Sequence, residues 1–331
     1  MKRKTWLSFL VVICLALMVA ACGGNNSNTD SGSASTGDTD SSNESGAGSS
    51  DGEEKPLTIG FTNWSRSFEF YVEMEKGMQE AADRLGVKLV LQDANGDMLK
   101  QQQQLENFVT QGVDGVILVP IDSNASADAV RAVLDKNIPV VTADIAVNGV
   151  EGVSSHIASD NKMGGQLAAE YIGQLLNGEG KVAILHNPTI TSVIERADGF
   201  KETLQSKYPN ITIVAEQNGE SKREKAMSIT ENLLQANPDL NAIFAVNDMM
   251  ALGALQAVQA ANKDVVIVGF DATEEAVDNI RNGSAMKASV AQQPAEIGAS
   301  ALETIVKVIK GEQVEKNIPV PVQLETADTL Q

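Results

Sequence analysis

Residues 57–94 read LTIGFTNWSRSFEFYVEMEKGMQEAADRLGVKLVLQDA, and this segment indicates the fold class. It begins with a short apolar strand pattern over residues 57–63 and continues as an amphipathic helix over residues 70–85. A second strand pattern follows over residues 87–94. Apolar residues that recur at helical spacing between two apolar runs indicate a strand, a helix and a parallel strand. Such units have right-handed connections, so the chain is predicted to be α/β with a parallel sheet.

The same alternation continues to the end of the chain. Helices are predicted at 99–111, between residue 120 and about residue 136, and at 294–310. Further strands are predicted at 115–120, 138–144, 181–187, 211–217, 242–248, 265–271 and 286–291. Two such runs predict two similar doubly wound parallel-sheet lobes joined by a multi-strand hinge. The predicted N-terminal lobe comprises residues 57–158 and 293–320, and the C-terminal lobe comprises 159–292 and 321–331, with one crossing at Ala158–Asn161.

The first 56 residues are predicted to target and tether the folded body. Lys2, Arg3 and Lys4 precede an apolar stretch over residues 6–19, the length of a signal peptide rather than a membrane span. The sequence Val-Ala-Ala-Cys at 19–22 resembles the lipobox of bacterial lipoproteins, which implies a signal peptide at 1–21 and a lipid on Cys22. The alternatives are an uncleaved signal anchor and a plain secretory signal. Residues 22–56, rich in Ser, Gly and Asp, are predicted to be a disordered tether.

Composition and motifs argue against several functions. A formal charge of −19 is unsuited to nucleic acid, whose phosphates need a basic patch. After loss of residues 1–21, Cys22 would be the remaining cysteine and would carry the lipid, so neither a disulfide nor a cysteine nucleophile is expected. Glycine-rich phosphate loops and a nucleophile elbow are lacking, and the two histidines, His156 and His186, are far apart. We therefore predict no enzymatic activity, no metal and no cofactor.

Polar side chains stand at the carboxyl ends of the predicted strands, where open α/β sheets bind ligands. These ends are Asn63–Trp64, Asp93, Pro120–Asp122, Asp144, His186–Asn187, Asn247–Asp248, Phe270–Asp271 and Gln292–Gln293. Asp, Asn and Gln offer many hydrogen-bond acceptors and donors, which suits a neutral polyhydroxylated ligand. An Asp in such a place can equally cap the following helix.

From Leu57 onward the chain resembles the ribose/galactose class of periplasmic sugar-binding proteins, and above all the ribose-binding proteins. The segments that carry the resemblance are residues 155–161 (SHIASDN), 195–200 (ERADGF), 244–255 (FAVNDMMALGAL), 268–271 (VGFD) and 291–294 (AQQP). The resemblance implies the periplasmic binding protein type I fold. It also implies a monosaccharide, a ribose-like pentose or related sugar, captured by hinge closure and delivered to the permease and ATPase subunits of an ABC importer.

The resemblance assigns roles to individual residues. Polar contacts to sugar hydroxyls are implied for Asp144, Arg196, Asn247, Asp271 and Gln292, with Asn247 and Gln292 both donating and accepting. Other roles for three of these are a helix cap for Asp271, a surface charge for Arg196 and hinge hydrogen bonds for Gln292. Stacking on the sugar ring is implied for Phe70 and Tyr71, and Trp64 and Phe68 are added as possible walls of the site.

The chain departs from the ribose-binding proteins at several of these places. Phe68 and Val119 stand where those proteins have polar residues, Ile145 stands where they have Arg, and Ser221 falls near their second-lobe aromatic. Ribose itself is therefore not implied, and a different or larger sugar, or a less polar polyol, is expected. Arg66 beside the mouth is either a signal for an acidic sugar or a solvated loop charge.

Three further expectations concern partners and location. The protein is expected to be a monomer, attached by its lipid to the outer face of the cell membrane, in a Gram-positive envelope. Sugar-responsive repressors share the two-lobed body, but a signal peptide is incompatible with that class. The alternative to import is a sugar sensor that presents its closed form to a membrane histidine kinase or chemoreceptor.

Overall fold

A computed structural model describes residues 55–331. The predicted signal peptide, the lipidation site Cys22 and nearly all of the tether lie outside the described residues. Within residues 55–331, no helix is long and apolar enough to cross a membrane.

The described part of the chain contains twelve strands and nine helices in nearly strict alternation. The strands are β1 Thr58–Asn63, β2 Lys88–Asp93, β3 Gly115–Leu118, β4 Val140–Ala143, β5 Ser155–Ser159, β6 Glu179–His186, β7 Asn210–Asn218, β8 Ala242–Ala245, β9 Val266–Asp271, β10 Met286–Ala291, β11 Asn317–Val320 and β12 Gln323–Thr326. The helices are α1 Glu69–Leu85, α2 Met98–Gln111, α3 Ala127–Leu134, α4 Asn161–Leu175, α5 Thr191–Lys207, α6 Arg223–Ala236, α7 Asp248–Ala260, α8 Glu274–Arg281 and α9 Pro294–Ile309.

The strands form two six-stranded sheets. The first has the order β11-β5-β4-β3-β1-β2 and is parallel throughout, and the second has the order β12-β10-β9-β8-β6-β7. In the second sheet β12 runs antiparallel to β10, and the remaining pairs are parallel. The central strands β3, β4 and β8 are fully buried and, apart from Thr142 of β4, apolar, as expected of strands covered by helices on both faces. The prediction of two doubly wound α/β lobes is confirmed.

Glycine pairs bring helices together on each sheet. A Cβ at Gly77 of α1 would lie 2.1 Å from the Ala295 carbonyl oxygen, and one at Gly298 of α9 would lie 2.1 Å from that of Met74. The same reciprocal arrangement joins α4 and α5 through Gly165 and Gly199. Only residues without a side chain allow such close contact between helix backbones, so these glycines fix how each helix pair packs.

The chain passes between the two sheets at three places in residues 55–331. These are the junction of β5 and α4 at Asp160, the junction of β10 and α9 at Gln292–Gln293, and the turn between β11 and β12 at Pro321–Val322. Helix α4 packs on β9, β10 and β12, whereas α9 returns to β3, β4 and β5. Three short, adjacent connections are suited to a hinge.

The strands β5, β11 and β12 were not predicted. Each has only four or five residues, and β11 contains Pro319, which normally demotes a strand pattern. The strand predicted at 242–248 ends at Ala245, because Asn247 already caps α7. Tertiary pairing, not local apolar character, makes these short segments strands.

Candidate functional site

A cavity lies between the two sheets, at the carboxyl ends of their strands. Its lining consists of Trp64, Phe68, Phe70, Tyr71, Asp144, Ile145, Ile190, Ser192, Val193, Arg196, Ser221, Asn247, Asp271 and Gln292. All nine residues predicted to contact a ligand are in this set. The cavity measures about 50 Å³, which on the same scale corresponds to a few water molecules at roughly 10–15 Å³ each.

Four aromatic rings form one wall of the cavity. The Trp64 and Phe68 ring centroids lie 5.2 Å apart and those of Phe70 and Tyr71 also 5.2 Å apart, in both cases edge to face. Phe68 and Tyr71 connect the two pairs at 6.1 Å. The Trp64 indole N–H donates to the Ile121 carbonyl oxygen at 3.2 Å, so this side chain offers the cavity an apolar surface. Edge-to-face contacts of this kind hold the rings in fixed orientations.

Asp144 follows β4 directly and is the polar group of the first lobe that faces the cavity. Its φ is 60°, in the left-handed region that a residue other than Gly seldom adopts. The Tyr71 hydroxyl donates to Oδ2 at 3.0 Å, whereas the buried Oδ1 has no hydrogen-bond partner among the described residues. Burial raises the pKa of the Asp144 carboxyl to about 6, although Arg196 and the Tyr71 bond oppose that shift.

Arg196 lies on α5 and lines the cavity from the second lobe. Its Nε donates to Asn161 Oδ1 at 2.8 Å, and its Nη1 donates to the Val246 carbonyl oxygen at 2.8 Å. The guanidinium carbon lies 3.7 Å from the centre of the Phe270 ring. Arg196 is only 3% exposed, so a surface charge is the wrong role for it. Two bonds and a stacked ring fix the guanidinium plane and leave the Nη2 donors for other partners.

Asp271 and Gln292 form a hydrogen-bonded chain that reaches the hinge. Gln292 donates through Nε2 to Asp271 Oδ1 at 2.6 Å and accepts from the Ser159 hydroxyl at 2.6 Å. Asp271 also lies 3.6 Å from Arg196 Nη1. The hinge hydrogen bonds considered for Gln292 are therefore present, in addition to its place in the cavity. A helix cap is the wrong role for Asp271, because Thr273 holds the N-cap position of α8.

Asn247 has a structural role in addition to its place in the cavity lining. Its side-chain oxygen accepts from the Met250 backbone N–H at 3.0 Å and so caps α7. The helix uses one of the two lone pairs of this oxygen, so the prediction that Asn247 both donates to and accepts from a ligand stays a prediction. Its amide N–H groups are left to face the cavity as donors.

The sequence did not single out Ile190, Ser192 or Val193 as lining residues. They lie at the start of α5, one turn before Arg196. Helical spacing of three to four residues from Arg196 is the signal that would have found Ser192 and Val193. Ile145 and Ser221, noted as departures from the ribose-binding proteins, do line the cavity, whereas Val119 is buried in the core outside it.

Other polar strand ends have structural partners. Asp248 accepts from the Ser289 hydroxyl at 2.7 Å and from the Thr273 backbone N–H at 2.8 Å. Arg66 donates through Nε to Glu75 at 2.8 Å, and it is not part of the cavity lining. No cluster of potential metal ligands occurs in residues 55–331.

The charges at the cavity favour a neutral ligand. Two carboxylates, Asp144 and Asp271, face one guanidinium, Arg196. Burial raises the pKa of the Asp271 carboxyl, and the negative charge of the nearby Asp144 raises it further. The Arg196 guanidinium and the hydrogen bond from Gln292 lower this pKa. A ligand carboxylate would add a third negative charge to this set, which like-charge repulsion disfavours.

Comparison with known proteins places the chain among binding proteins. The model of the periplasmic binding protein domain family matches residues 59–313. The ribose import binding protein RbsB of Bacillus subtilis is 37% identical over 84% of this chain and 90% of its own length. The protein of the same name from Haemophilus influenzae is 42% identical over 77% of this chain and 86% of its own length.

A solved structure shares the fold. A solute-binding protein of an ABC transporter from Bacillus halodurans, with bound myo-inositol, superposes with a TM-score of 0.77. It is 30% identical and is matched over 84% of this chain and 97% of its own. The resemblance described from the sequence is confirmed. The chain belongs to the family of proteins with a periplasmic binding protein domain, and it is a binding protein rather than an enzyme.

Proposed function

We propose that the protein captures a neutral monosaccharide or small polyol between its two lobes and delivers it to an ABC importer. The observation that carries the proposal is the Asp144 carboxylate, which is 4% exposed and has an Oδ1 with no partner among the described residues. A buried carboxylate oxygen without a donor costs free energy, and a ligand hydroxyl would satisfy it.

The groups around Asp144 support a hydroxyl-bearing ligand. Asn247 and the Nη2 of Arg196 provide donors, and Asp271 provides an acceptor on the opposite side of the cavity. A sugar hydroxyl both donates and accepts, so it can link a carboxylate to an amide or guanidinium. The aromatic side chains of Trp64 and Phe70 offer surfaces for the C–H face of a ring.

Both lobes must contact the ligand for binding to favour closure. We assign residues 57–158 and 293–320 to one lobe and 159–292 and 321–331 to the other, supported by the two sheets and the three crossings between them. Asp144 belongs to the first lobe, and Arg196, Asn247 and Asp271 belong to the second. A ligand held from both sides makes more contacts in the closed form, and this difference drives closure.

The names and ligands of similar proteins support the choice of ligand and partner. Two relatives are ribose import proteins, and the solved structure holds myo-inositol, a cyclic polyol. We further propose that the lipid on Cys22 and the tether over 22–56 keep the protein as a monomer beside its permease on the outer face of a Gram-positive membrane. The lipobox-like residues 19–22 support this anchor.

The test is thermal unfolding in the presence of ribose, xylose, arabinose, allose, galactose, glucose, inositol and galacturonate. A ligand at 100 times its dissociation constant stabilises the folded form by about 2.7 kcal/mol. We expect a clear rise in melting temperature with at least one neutral compound and none with galacturonate. Absence of a shift with every sugar and polyol would remove the proposed ligand class.

Two variants and a control test the site itself. Asp144→Ala and Asp271→Ala should each abolish measurable binding and leave the protein folded. Asp93→Ala is the matched control, because Asp93 also ends a strand but accepts from the Arg66 and Asn95 backbones outside the cavity. Unchanged affinity in either cavity variant would exclude that residue from the site.

A further inference from the structure

The two lobes present chemically different surfaces to the cavity. From the first lobe come the rings of Trp64, Phe68, Phe70 and Tyr71 and the side chain of Ile145. The polar atoms of Trp64 and Tyr71 are already engaged, by the Ile121 carbonyl and by Asp144 Oδ2. Asp144 Oδ1 is thus the one side-chain polar atom of this lobe, among the lining residues described, that is left for a ligand.

The second lobe is polar in comparison. It contributes the Nη2 of Arg196, the amide of Asn247 and the carboxylate of Asp271, together with the hydroxyls of Ser192 and Ser221, beside only two apolar side chains, Ile190 and Val193. Hydrogen-bonding groups for a ligand are therefore concentrated on one side of the cavity, and Asp144 is the exception on the other side.

An ordinary sugar carries a hydroxyl on nearly every ring carbon. Ring faces can stack on aromatic side chains, but the edge that points at Phe68 and Ile145 would place a hydroxyl against apolar atoms. A buried hydroxyl without a partner loses its bonds to water, whereas a CH₂ or CH₃ group at that edge gains apolar contact. Phe68 and Ile145 thus favour a ligand that lacks a hydroxyl there.

We propose that the ligand is a deoxy sugar, with its hydroxyls toward Arg196, Asn247 and Asp271 and a deoxygenated carbon toward Phe68 and Ile145. This inference rests on the proposed function and specifies the substrate class of the same site. Asp144 would accept from the one hydroxyl nearest the apolar edge.

Isothermal titration with matched pairs tests the proposal. The pairs are 5-deoxy-D-ribose and D-ribose, L-fucose and L-galactose, and L-rhamnose and L-mannose. We expect the deoxy member of at least one pair to bind about 10–100-fold tighter, the range by which apolar pockets discriminate single groups. If sugars bind and the fully hydroxylated member is equal or tighter in every pair that binds, the deoxy inference is overturned. If none of these sugars and no compound of the wider panel binds, the proposed function itself fails.

Variants at the apolar edge test the assignment to particular residues. Phe68→Asn and Ile145→Asn should each move the preference at least tenfold toward the hydroxylated member. Phe68 occupies the N-cap position of α1, which Asn favours, so that variant should fold. Phe68→Leu should weaken binding of both sugars of a pair, and the deoxy sugar should remain the tighter-binding one. Val72→Asn, on an exposed position of the same helix, is the control. An unchanged preference in both Asn variants would contradict the proposal.

Discussion

Asp144 lines the cavity at a cost to stability. Burial raises its pKa from 3.8 to about 6, so the folded protein must hold a charged carboxylate away from water at neutral pH. A rise in the pKa from 3.8 to about 6 corresponds to about 3 kcal/mol that opposes folding above pH 6. A residue that costs this much and keeps a left-handed backbone is typical of a binding site rather than of a core.

We expect Asp144→Asn to stabilise the ligand-free protein by about 1–3 kcal/mol at pH 7.5 and by less than about 1 kcal/mol at pH 4.5. Because this pKa is higher in the folded than in the unfolded protein, the free energy of unfolding is highest in acid, where the carboxyl is neutral in both states. It falls as the pH rises through about 6. Asn is nearly isosteric and tolerates the left-handed backbone. Urea unfolding at the two pH values measures the difference. The same variant should bind the ligand poorly, and a pH-independent difference would argue against a buried charge at this position.

Ligand affinity should depend on the same carboxyl. Hydroxyls that donate to Asp144 stabilise its ionised form, so binding should release protons below pH 6. We expect the affinity to be constant from about pH 7 to 8 and to fall by about tenfold per pH unit well below 6. Titration calorimetry across this range measures it, with Asp144→Asn as the variant that should show a flatter profile. An affinity that increases in acid would contradict the proposed role of Asp144.

The cavity lining could be predicted from the sequence to a large extent, in part because the carboxyl ends of parallel strands meet at one edge of a sheet. Phe68, Phe70, Tyr71 and Arg196, which lie on helices or at their ends, were predicted through the resemblance to the ribose-binding proteins. The hydrogen-bond roles of the lining residues could not be predicted. Whether the Asn247 oxygen is free depends on the cap of α7, and the second partner of Gln292 is Ser159, 133 residues away. Such partners are determined by tertiary packing, which strand-end patterns do not encode.

At the scale of elements, direct hydrogen bonds join the two lobes beside the cavity. The Thr191 hydroxyl, at the start of α5, accepts from the Ala146 backbone N–H at 3.0 Å and lies 3.3 Å from Ser123 Oγ. The Ser123 backbone N–H donates to the Thr189 carbonyl oxygen at 3.2 Å. These contacts stabilise the closed arrangement without any contribution from a ligand.

We expect Thr191→Val to shift the protein toward open forms. The change keeps the size of the side chain and removes two hydrogen bonds of about 1 kcal/mol each, so the closed form should lose about 1–2 kcal/mol. Apparent affinity falls with the closed fraction, by up to about 10–30-fold. Small-angle X-ray scattering should show a larger radius of gyration without ligand. Thr110→Val, which removes only a bond within α2 on the surface, is the control. Unaltered affinity and size would show that these bonds do not govern closure.

The alternation of strands and helices was predictable because each long element carries its own apolar period, as in α1 and β1. The strands β5, β11 and β12 were not, although they pair in register with their neighbours. A segment of four or five residues contains too few repeats of an apolar pattern to predict a strand. Its conformation depends instead on pairing with the neighbouring strand.

For the whole molecule, the proposed function requires that the lobes separate to admit a ligand and close to retain it. The cavity is lined from both lobes, so a sugar held in it would be enclosed by both, and its entry would require them to separate. Entry and release should therefore stop if the lobes are joined covalently. Ser123 and Thr191 are suitable positions for such a link, since their side-chain oxygens lie 3.3 Å apart across the two lobes.

We expect a protein with Ser123→Cys and Thr191→Cys, in a background where Cys14 and Cys22 are Ser, to form a disulfide under oxidising conditions. If the double variant is oxidised in the absence of ligand, it should show no ligand binding over several hours. Oxidised after loading, it should retain its ligand through dialysis, and reduction should restore exchange, because only the link prevents opening. Each single Cys variant is a control that should exchange ligand under both conditions. Rapid exchange by the oxidised double variant would mean that ligand reaches the cavity without separation of the lobes, and hinge closure would then not be the basis of capture.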